Sequence, residues 1–187
     1  MGNRLPYRKR NLEEELMNPV IAYEKQLYFP TKKDYFVSLV THEDTYLIWR
    51  YLYFLRREEA ASNKLTQYFW RRRKNDLGAK LGIIIYAGCC GKGLRIWHYG
   101  STIISGDAKL GENCTFHGQA CIGNDGSSMA APVIGNNVDI GVGAKIIGDI
   151  TIADDVRIGA GAVVTKSCHE RGSVLVGVPA KACNKSK

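Results

Sequence analysis

Residues 134–164 read IGNNVD, IGVGAK, IIGDIT, IADDVR, IGAGAV, V. An aliphatic side chain returns every six positions, at Ile134, Ile140, Ile146, Ile152, Ile158 and Val164, and four residues after each of the first five comes a compact one: Val138, Ala144, Ile150, Val156, Ala162. A period of six is neither the 3.6 of an α-helix nor the alternation of a single strand, so the stretch is a structural repeat. Its physical reading is a short straight side followed by a tight corner. The aliphatic residue points inward, while Gly, Asn or Asp supply the left-handed corner conformation. Each inward side chain contributes roughly 1.5–3 kcal/mol when buried, and a lone coil buries nothing, so only the stack is stable.

The period extends backwards through Ile122, Phe116, Leu110 and Ile104, and its next slot falls on His98. Between Ile122 and Ile134 the sequence Gly123 to Pro132 keeps phase, but its Ser128 sits in the inward slot and its composition is that of a loop. It is expected to protrude from the stack beside the site. Leu81 to Ile85 reads as a first strand, and Val174 to Lys181 closes the stack.

Residues 1–80 lack the period. Glu13 to Met17 suits a short helix interrupted by Pro19, and Phe29-Pro30-Thr31 a turn. From about Thr41 to Lys74 the spacing is helical, with Leu47, Tyr51, Phe54 and Leu55 on one face, Thr41 and Asp44 as a cap signal, and Asn75 to Leu81 as the joint. The expected organisation is a helical region over 1–80 and a repeat domain over 81–187. The chain is basic, with a net charge of +8, and residues 1–80 hold 16 Lys and Arg against 10 Asp and Glu. Such a surplus attracts polyanions or an anionic membrane face. No nucleic-acid recognition motif is present, so the run Trp70-Arg71-Arg72-Arg73-Lys74 is either a solvated helix end or a phosphate- or membrane-facing patch, and peripheral membrane contact stays open. The start MGNRLP departs from a myristoylation signal at Pro6, no signal peptide is evident, and no apolar run is long enough to span a bilayer, so a cytoplasmic protein is expected. Cys89, Cys90, Cys114, Cys121, Cys168 and Cys183 form no C-x-x-C pair, and Cys114, in a compact slot, reads as a free buried thiol.

His98 at a repeat corner suits a general base, a role that commonly contributes about 10²–10⁴-fold; it also suits a core histidine satisfied by a carbonyl. His117 lies about one coil further on. Gly93 to Gly100 with Ala108 to Gly111 and Cys114 to Gly118 resembles the motif of serine acetyltransferases, among the hexapeptide-repeat acyltransferases. The resemblance is closer still to the serine acetyltransferase-like enzymes of surface-polysaccharide clusters, which share the helical lead-in and a stretch like Asn75 to Gly82.

That resemblance implies a mainly β fold, a left-handed parallel β-helix with an N-terminal α-helical region, assembled as a homotrimer with sites between subunits. It implies an acetyl-CoA-dependent O-acetyltransferase in which His98 is the base, acetyl-CoA is the donor and no metal is required. Ala144 and Ala160 would meet the pantetheine arm through their backbones, with Thr165, Lys166 and Lys181 near the nucleotide end. His117, Trp97 and Tyr99 are expected to meet the acceptor. The family's Asp before the base is Trp97 here, its Arg-His-Pro is Ala130-Ala131-Pro132, and its partner Asp falls on Ile83, leaving Asp107 or Glu112 to reach His98. These departures remove the charges that would hold a zwitterion, so a sugar hydroxyl in surface-polysaccharide synthesis is the expected acceptor. L-serine, as in cysteine synthesis, is the alternative. A non-catalytic trimeric scaffold and a zinc enzyme of the γ-carbonic anhydrase type are remoter readings.

Overall fold

The computed structural model describes residues 18–183; the expected helix over Glu13 to Met17 and the MGNRLP start lie outside the described residues. Among the described residues four helices come first: α1 (Pro19–Tyr28), α2 (Lys32–Thr41), α3 (Asp44–Glu59) and α4 (Lys64–Leu81). Pro19 opens a helix. It occupies the first turn of α1, where its missing N–H has no partner to lose, and the Asn18 side chain caps Val20. The turn at Phe29-Pro30-Thr31 is present, and α2 opens on a capping box between Thr31 and Asp34. The cap of α3 is not the Thr41–Asp44 pair: its N-cap is Glu43, which makes no side-chain cap bond, and the Thr41 hydroxyl donates back to the Val37 carbonyl. Nor is 75–81 a joint. Helix α4 runs unbroken through Leu81 and stops at Gly82, whose φ of 66° supplies the left-handed cap.

Fourteen short strands follow, β1 (Ile83–Ile85) to β14 (Lys181–Cys183). They wind into three sheets, which make a three-sided parallel β-helix. One side holds β1, β3 (Thr102–Ile104), β6 (Cys121–Gly123), β9 (Lys145–Ile147) and β12 (Val163–Val164); the second holds β4 (Lys109–Leu110), β7 (Val133–Ile134) and β10 (Thr151–Ile152); the third holds β2 (Arg95–Ile96), β5 (Thr115–Phe116), β8 (Asp139–Ile140), β11 (Arg157–Ile158), β13 (Val174–Val176) and β14. Pairing is parallel throughout except β13 with β14, where the chain turns back on itself. The six-residue reading holds in detail along 134–164: Ile140 pairs with Ile158 and Ile146 with Val164, each 18 positions on. All the inward and compact residues of that stretch are buried. Gly141 shows why the slot after the aliphatic residue is glycine. A Cβ there would lie 2.6 Å from the Ala160 amide of the next coil. At the corner between the second and third sides, Asn113, Asn137 and Asp155 take φ of 57°, 55° and 58°. Their neighbours form a ladder: Glu112 N–H donates to Asn136 Oδ1 and Asn136 N–H to Asp154 Oδ1.

The period breaks at three places, one of them after Val164, where Leu175 pairs with Ile158 only 17 positions on. Leu110 and Ile134 pair although 24 positions apart, six more than one coil, because Asn124 to Ala130 leave the wall as a loop with Ser128 exposed instead of inward. At the first coil the inward residue is Ile96, and His98 is exposed. Seven positions separate Ile96 from Ile103, whereas five separate their partners Phe116 and Cys121. The two additional residues bulge the corner and throw His98 out of the inward series.

The helices cover the first coil and supply what its strands lack. Tyr28 accepts the Ile96 N–H at 2.6 Å and donates to the Ile96 carbonyl, and burial raises its pKa, keeping it a neutral hydroxyl. Tyr51 accepts the Ile85 N–H, and Lys74 donates to the Ile85 carbonyl. Glu24, 1 % exposed, pairs with Arg56 at 2.8 Å and accepts the Gly93 N–H, while Arg56 donates to the Cys90 and Gly91 carbonyls. Replacing Arg56 by Ala would leave Glu24 buried and unpaired. The expected cost is about 3–5 kcal/mol by denaturant unfolding, with most of it recovered when Glu24 is also made apolar.

All six cysteines are free. Burial pushes the Cys114 thiol up to about 11. At about pH 8 native protein is expected to label with maleimide at exposed Cys183 and not at Cys114, read by mass spectrometry, because the thiolate is the nucleophile.

Candidate functional site

The corner between the third and first sides gathers most of the expected site. From the helical end downwards it holds Trp97 to Ser101, then His117 to Ala120, Gly141 to Ala144, Gly159 to Ala162 and Gly177 to Ala180. It is a column of small residues: Gly100, Gly118, Gly143, Gly161 and Gly177 all have positive φ. With no side chain to cover it, the backbone along this edge is open to an extended ligand.

His98 stands at the head of the column, and no described side chain hydrogen-bonds its ring. Neither expected helper bonds the His98 ring. Glu112 lies 3.8 Å from Lys92, and Asp107 is a turn residue whose N–H donates to Ser105. Ile83, in the partner-carboxylate position, is buried and faces inward; the outward residue of that strand is Ile84, also apolar. What fixes His98 is the backbone beneath it. Gly118, at φ 124°, lies so close that a Cβ would sit 3.1 Å from the His98 carbonyl oxygen.

His117 does not bond His98. Its Nε2 pairs with Asp139 Oδ1 at 2.8 Å, and its ring stacks against Trp97 at 6.3 Å between centroids. The Arg95 guanidinium lies over the Trp97 ring at 4.0 Å. Arg95, Trp97, His117 and Asp139 thus form one row across the outside of the third side. Trp97 is the middle of a packed row that orders the His98 corner. Trp97, 44 % exposed, and Tyr99, 39 % exposed, are the aromatic residues open on either side of His98. Sequence reading missed Arg95 and Asp139. Asp139 meets His117 only because the inserted loop sets the register of β8 against β5 at 24 positions, which local spacing does not reveal.

The donor residues divide. Ala160 is exposed on the column, with no hydrogen bond to its backbone N–H or carbonyl among the described residues. Lys181 is exposed at the foot of the same edge, opposite Val176. Ala144 is fully buried, its N–H donating to Gly141 and its carbonyl accepting from Cys121, so its backbone is spent on the wall. Thr165 and Lys166 are exposed at the next corner, across the first side, and so is the 124–130 loop that was expected beside the site. A three-residue side spans roughly 10 Å. Within one chain the two groups do not converge. Among the described residues no three His, Cys, Asp or Glu side chains cluster in metal-binding fashion.

Known proteins bear on this arrangement. Residues 131–166 match the family model described as bacterial transferase hexapeptide (six repeats). A serine acetyltransferase of Helicobacter pylori strain J99 is 36 % identical over 131 residues, covering 68 % of this chain and 76 % of that protein. The chain belongs to the serine acetyltransferase family of hexapeptide-repeat transferases, the acetyl-CoA-dependent O-acetyltransferases. Among solved structures, the Neisseria gonorrhoeae serine acetyltransferase in complex with serine is similar at 28 % identity and a TM-score of 0.65, covering 88 % of this chain and 67 % of that one. The soybean serine acetyltransferase apoenzyme, at 20 % identity and a TM-score of 0.67, shares the fold; this chain spans 66 % of it. A serine acetyltransferase of Brucella abortus is spanned over 56 % of its length.

Adding a methyl at Gly118 tests the seat of His98. Gly118→Ala is expected to lower kcat by about 10-fold or more through displacement of His98 and backbone strain, with a stability loss of about 1–3 kcal/mol measured by urea unfolding.

Proposed function

We propose that this chain transfers the acetyl group of acetyl-CoA to a hydroxyl, with His98 as general base. The observation that carries the reading is the position of His98: exposed, seated on Gly118, at the head of a glycine-lined edge in a serine acetyltransferase relative. The hydroxyl proton passes to the His98 imidazole as the oxygen adds to the thioester carbonyl. The tetrahedral oxyanion takes a hydrogen bond from a backbone N–H, and its collapse expels the CoA thiolate, which takes the proton held by the His98 imidazolium and restores the neutral imidazole. No covalent enzyme intermediate is needed.

The edge offers what an acetyl-CoA arm requires. The backbone of Ala160 is available to pantetheine amides in the manner of an added strand, and Lys181 supplies positive charge at the foot. Thr165, Lys166 and the 124–130 loop lie at the other corner of the first side, so they join the site only from a neighbouring copy. This supports a homotrimer of left-handed helices with sites between subunits, in which the lower part of the edge below His98 on one copy faces Thr165 and Lys166 of the next.

For the acceptor, the relatives support L-serine and favour it over the sugar hydroxyl expected from the sequence. The sugar reading keeps one specific observation in its favour. The positions expected to grip a zwitterion are Trp97 beside His98 and, at the other corner, Ala130, Ala131 and Pro132, none of them charged, and an unpaired acceptor carboxylate is costly. A cytoplasmic setting fits either acceptor.

Thiol release from acetyl-CoA with L-serine and with a panel of sugars separates the two. Wild type is expected to turn over L-serine, and His98→Ala to lose about 10²–10⁴-fold in kcat while still binding CoA. Turnover of a sugar and not of serine would replace the acceptor and keep the base. An unchanged His98→Ala rate would remove the base.

A further inference from the structure

One face of the molecule takes no part in this chemistry. Helix α3 is aromatic on both sides. Its inner face, with Ile48, Tyr51, Leu52 and Leu55, is buried. Its outer face carries half-buried Tyr46 and Tyr53, with Trp49 buried between them against Phe29 and Tyr35, interleaved with Arg50 and Arg57, and forms the floor of a groove of about 590 Å³ between α2 and α4. A helix apolar on both sides ordinarily has a partner on both.

The charge in this groove is of one sign. Lys25, Arg50, Arg57 and Arg73 line it, and no Asp, Glu, Asn or Gln does. None of the four has an ion pair among the described residues, although the buried or bordering cations do: Arg56 with Glu24, Lys74 and Arg71 with Glu58. Their guanidinium and ammonium groups rest on the aromatic walls, Arg57 over Trp70 at 4.8 Å and Arg73 over Phe69 at 5.3 Å. They are held in place with their hydrogen-bonding edges unclaimed, an arrangement that suits phosphate oxygens.

Beside the groove, apolar side chains project into water. On α4, Leu65 is 83 % and Phe69 51 % exposed; on α2, Phe36 is 64 % and Val40 62 % exposed. Both pairs recur at helical spacing, so each flanking helix turns an apolar stripe outward next to Lys32, Lys33, Arg72 and Arg73.

We propose that this face docks on an anionic phospholipid surface, with headgroup phosphates in the cationic groove and the α2 and α4 stripes in the interfacial layer. Three alternatives fit less well. A soluble nucleotide would fill the groove and leave the projecting apolar residues in water, and the groove has no carboxylate or amide to read a base or ribose. A second copy packed face to face would set the same unpaired cations against each other. An acidic protein would meet the cations but demands a matching apolar surface. The described helices include none able to span a membrane, so the attachment is peripheral. The proposal is independent of the acceptor and of His98.

The test is flotation of the full chain with vesicles of phosphatidylcholine, alone or mixed equally with phosphatidylglycerol, at low and high salt. The expected result is binding to the mixed vesicles that weakens with salt, and little to phosphatidylcholine alone. The triple variant Arg50→Gln/Arg57→Gln/Arg73→Gln is expected to lose about 100-fold in vesicle partitioning, from about fivefold per cation, with helix content and acetyl transfer unchanged. Leu65→Ser/Phe69→Ser is expected to weaken binding at high and low salt alike. Equal binding to both vesicle types, or wild-type binding by the triple variant, would overturn the proposal. So would binding of a nucleoside diphosphate without vesicle binding, or self-association in solution that the triple variant abolishes.

Discussion

A stack of parallel coils has the same difficulty at each end: the last strands carry amides and carbonyls with no neighbour, and an open sheet edge is a template for wrong pairing. In this chain the helical end is closed by side chains. Two tyrosine hydroxyls and one lysine stand in for the missing strand over Ile85 and Ile96, and the buried Glu24–Arg56 pair ties α1 and α3 to the carbonyls and amides between Cys90 and Leu94. Much else depends on that closure. The bulged corner bearing His98 begins one residue after Ile96, so the helices, remote in sequence, set where the site begins. Buried charge pairs of this kind stabilise less than their geometry suggests, since desolvation offsets most of the attraction, but removing one member is severe.

The corner itself combines rigidity and openness. Below His98 there is glycine backbone, and on its flank a row in which Arg95, Trp97, His117 and Asp139 hold one another. Neither feature touches the ring. The imidazole is therefore free to meet a hydroxyl while its main chain is fixed, a division that suits a base acting on a diffusing acceptor.

How far the sequence could be read follows the physics of each part. Where inward side chains stack directly, from Ile104 to Ile122 and from Ile134 to Val164, the period of six located each inward residue, because stacking leaves a mark at a fixed interval; it counted one slot too many across the loop at Ser128. It failed at His98, where a two-residue bulge preserves the stack by shifting Ile96 into the inward slot, and a strict period cannot register a bulge. The helical region was legible only in part. Its caps are local and include Pro19 at the start of α1, which resembles an interruption when the neighbouring helix is assumed to be continuous. The Glu24–Arg56 and His117–Asp139 pairs join residues 32 and 22 positions apart, and nothing local announces them. His98 itself was singled out by family resemblance; the slot that drew attention to it proved to belong to Ile96. The resemblance also named Ala144, whose backbone the wall consumes, alongside Ala160, whose backbone is open.

The far end is finished differently. There β14 runs antiparallel to β13, so the outermost ladder is the chain folded on itself, with Val176 against Lys181. A parallel β-helix with both terminal coils bare would add further copies along its axis without limit and grow into a fibre. Here one terminus is roofed by helices and the other is hemmed by a reversed strand. Axial growth is thereby blocked, and the flanks are left as the surfaces on which copies of this chain can meet.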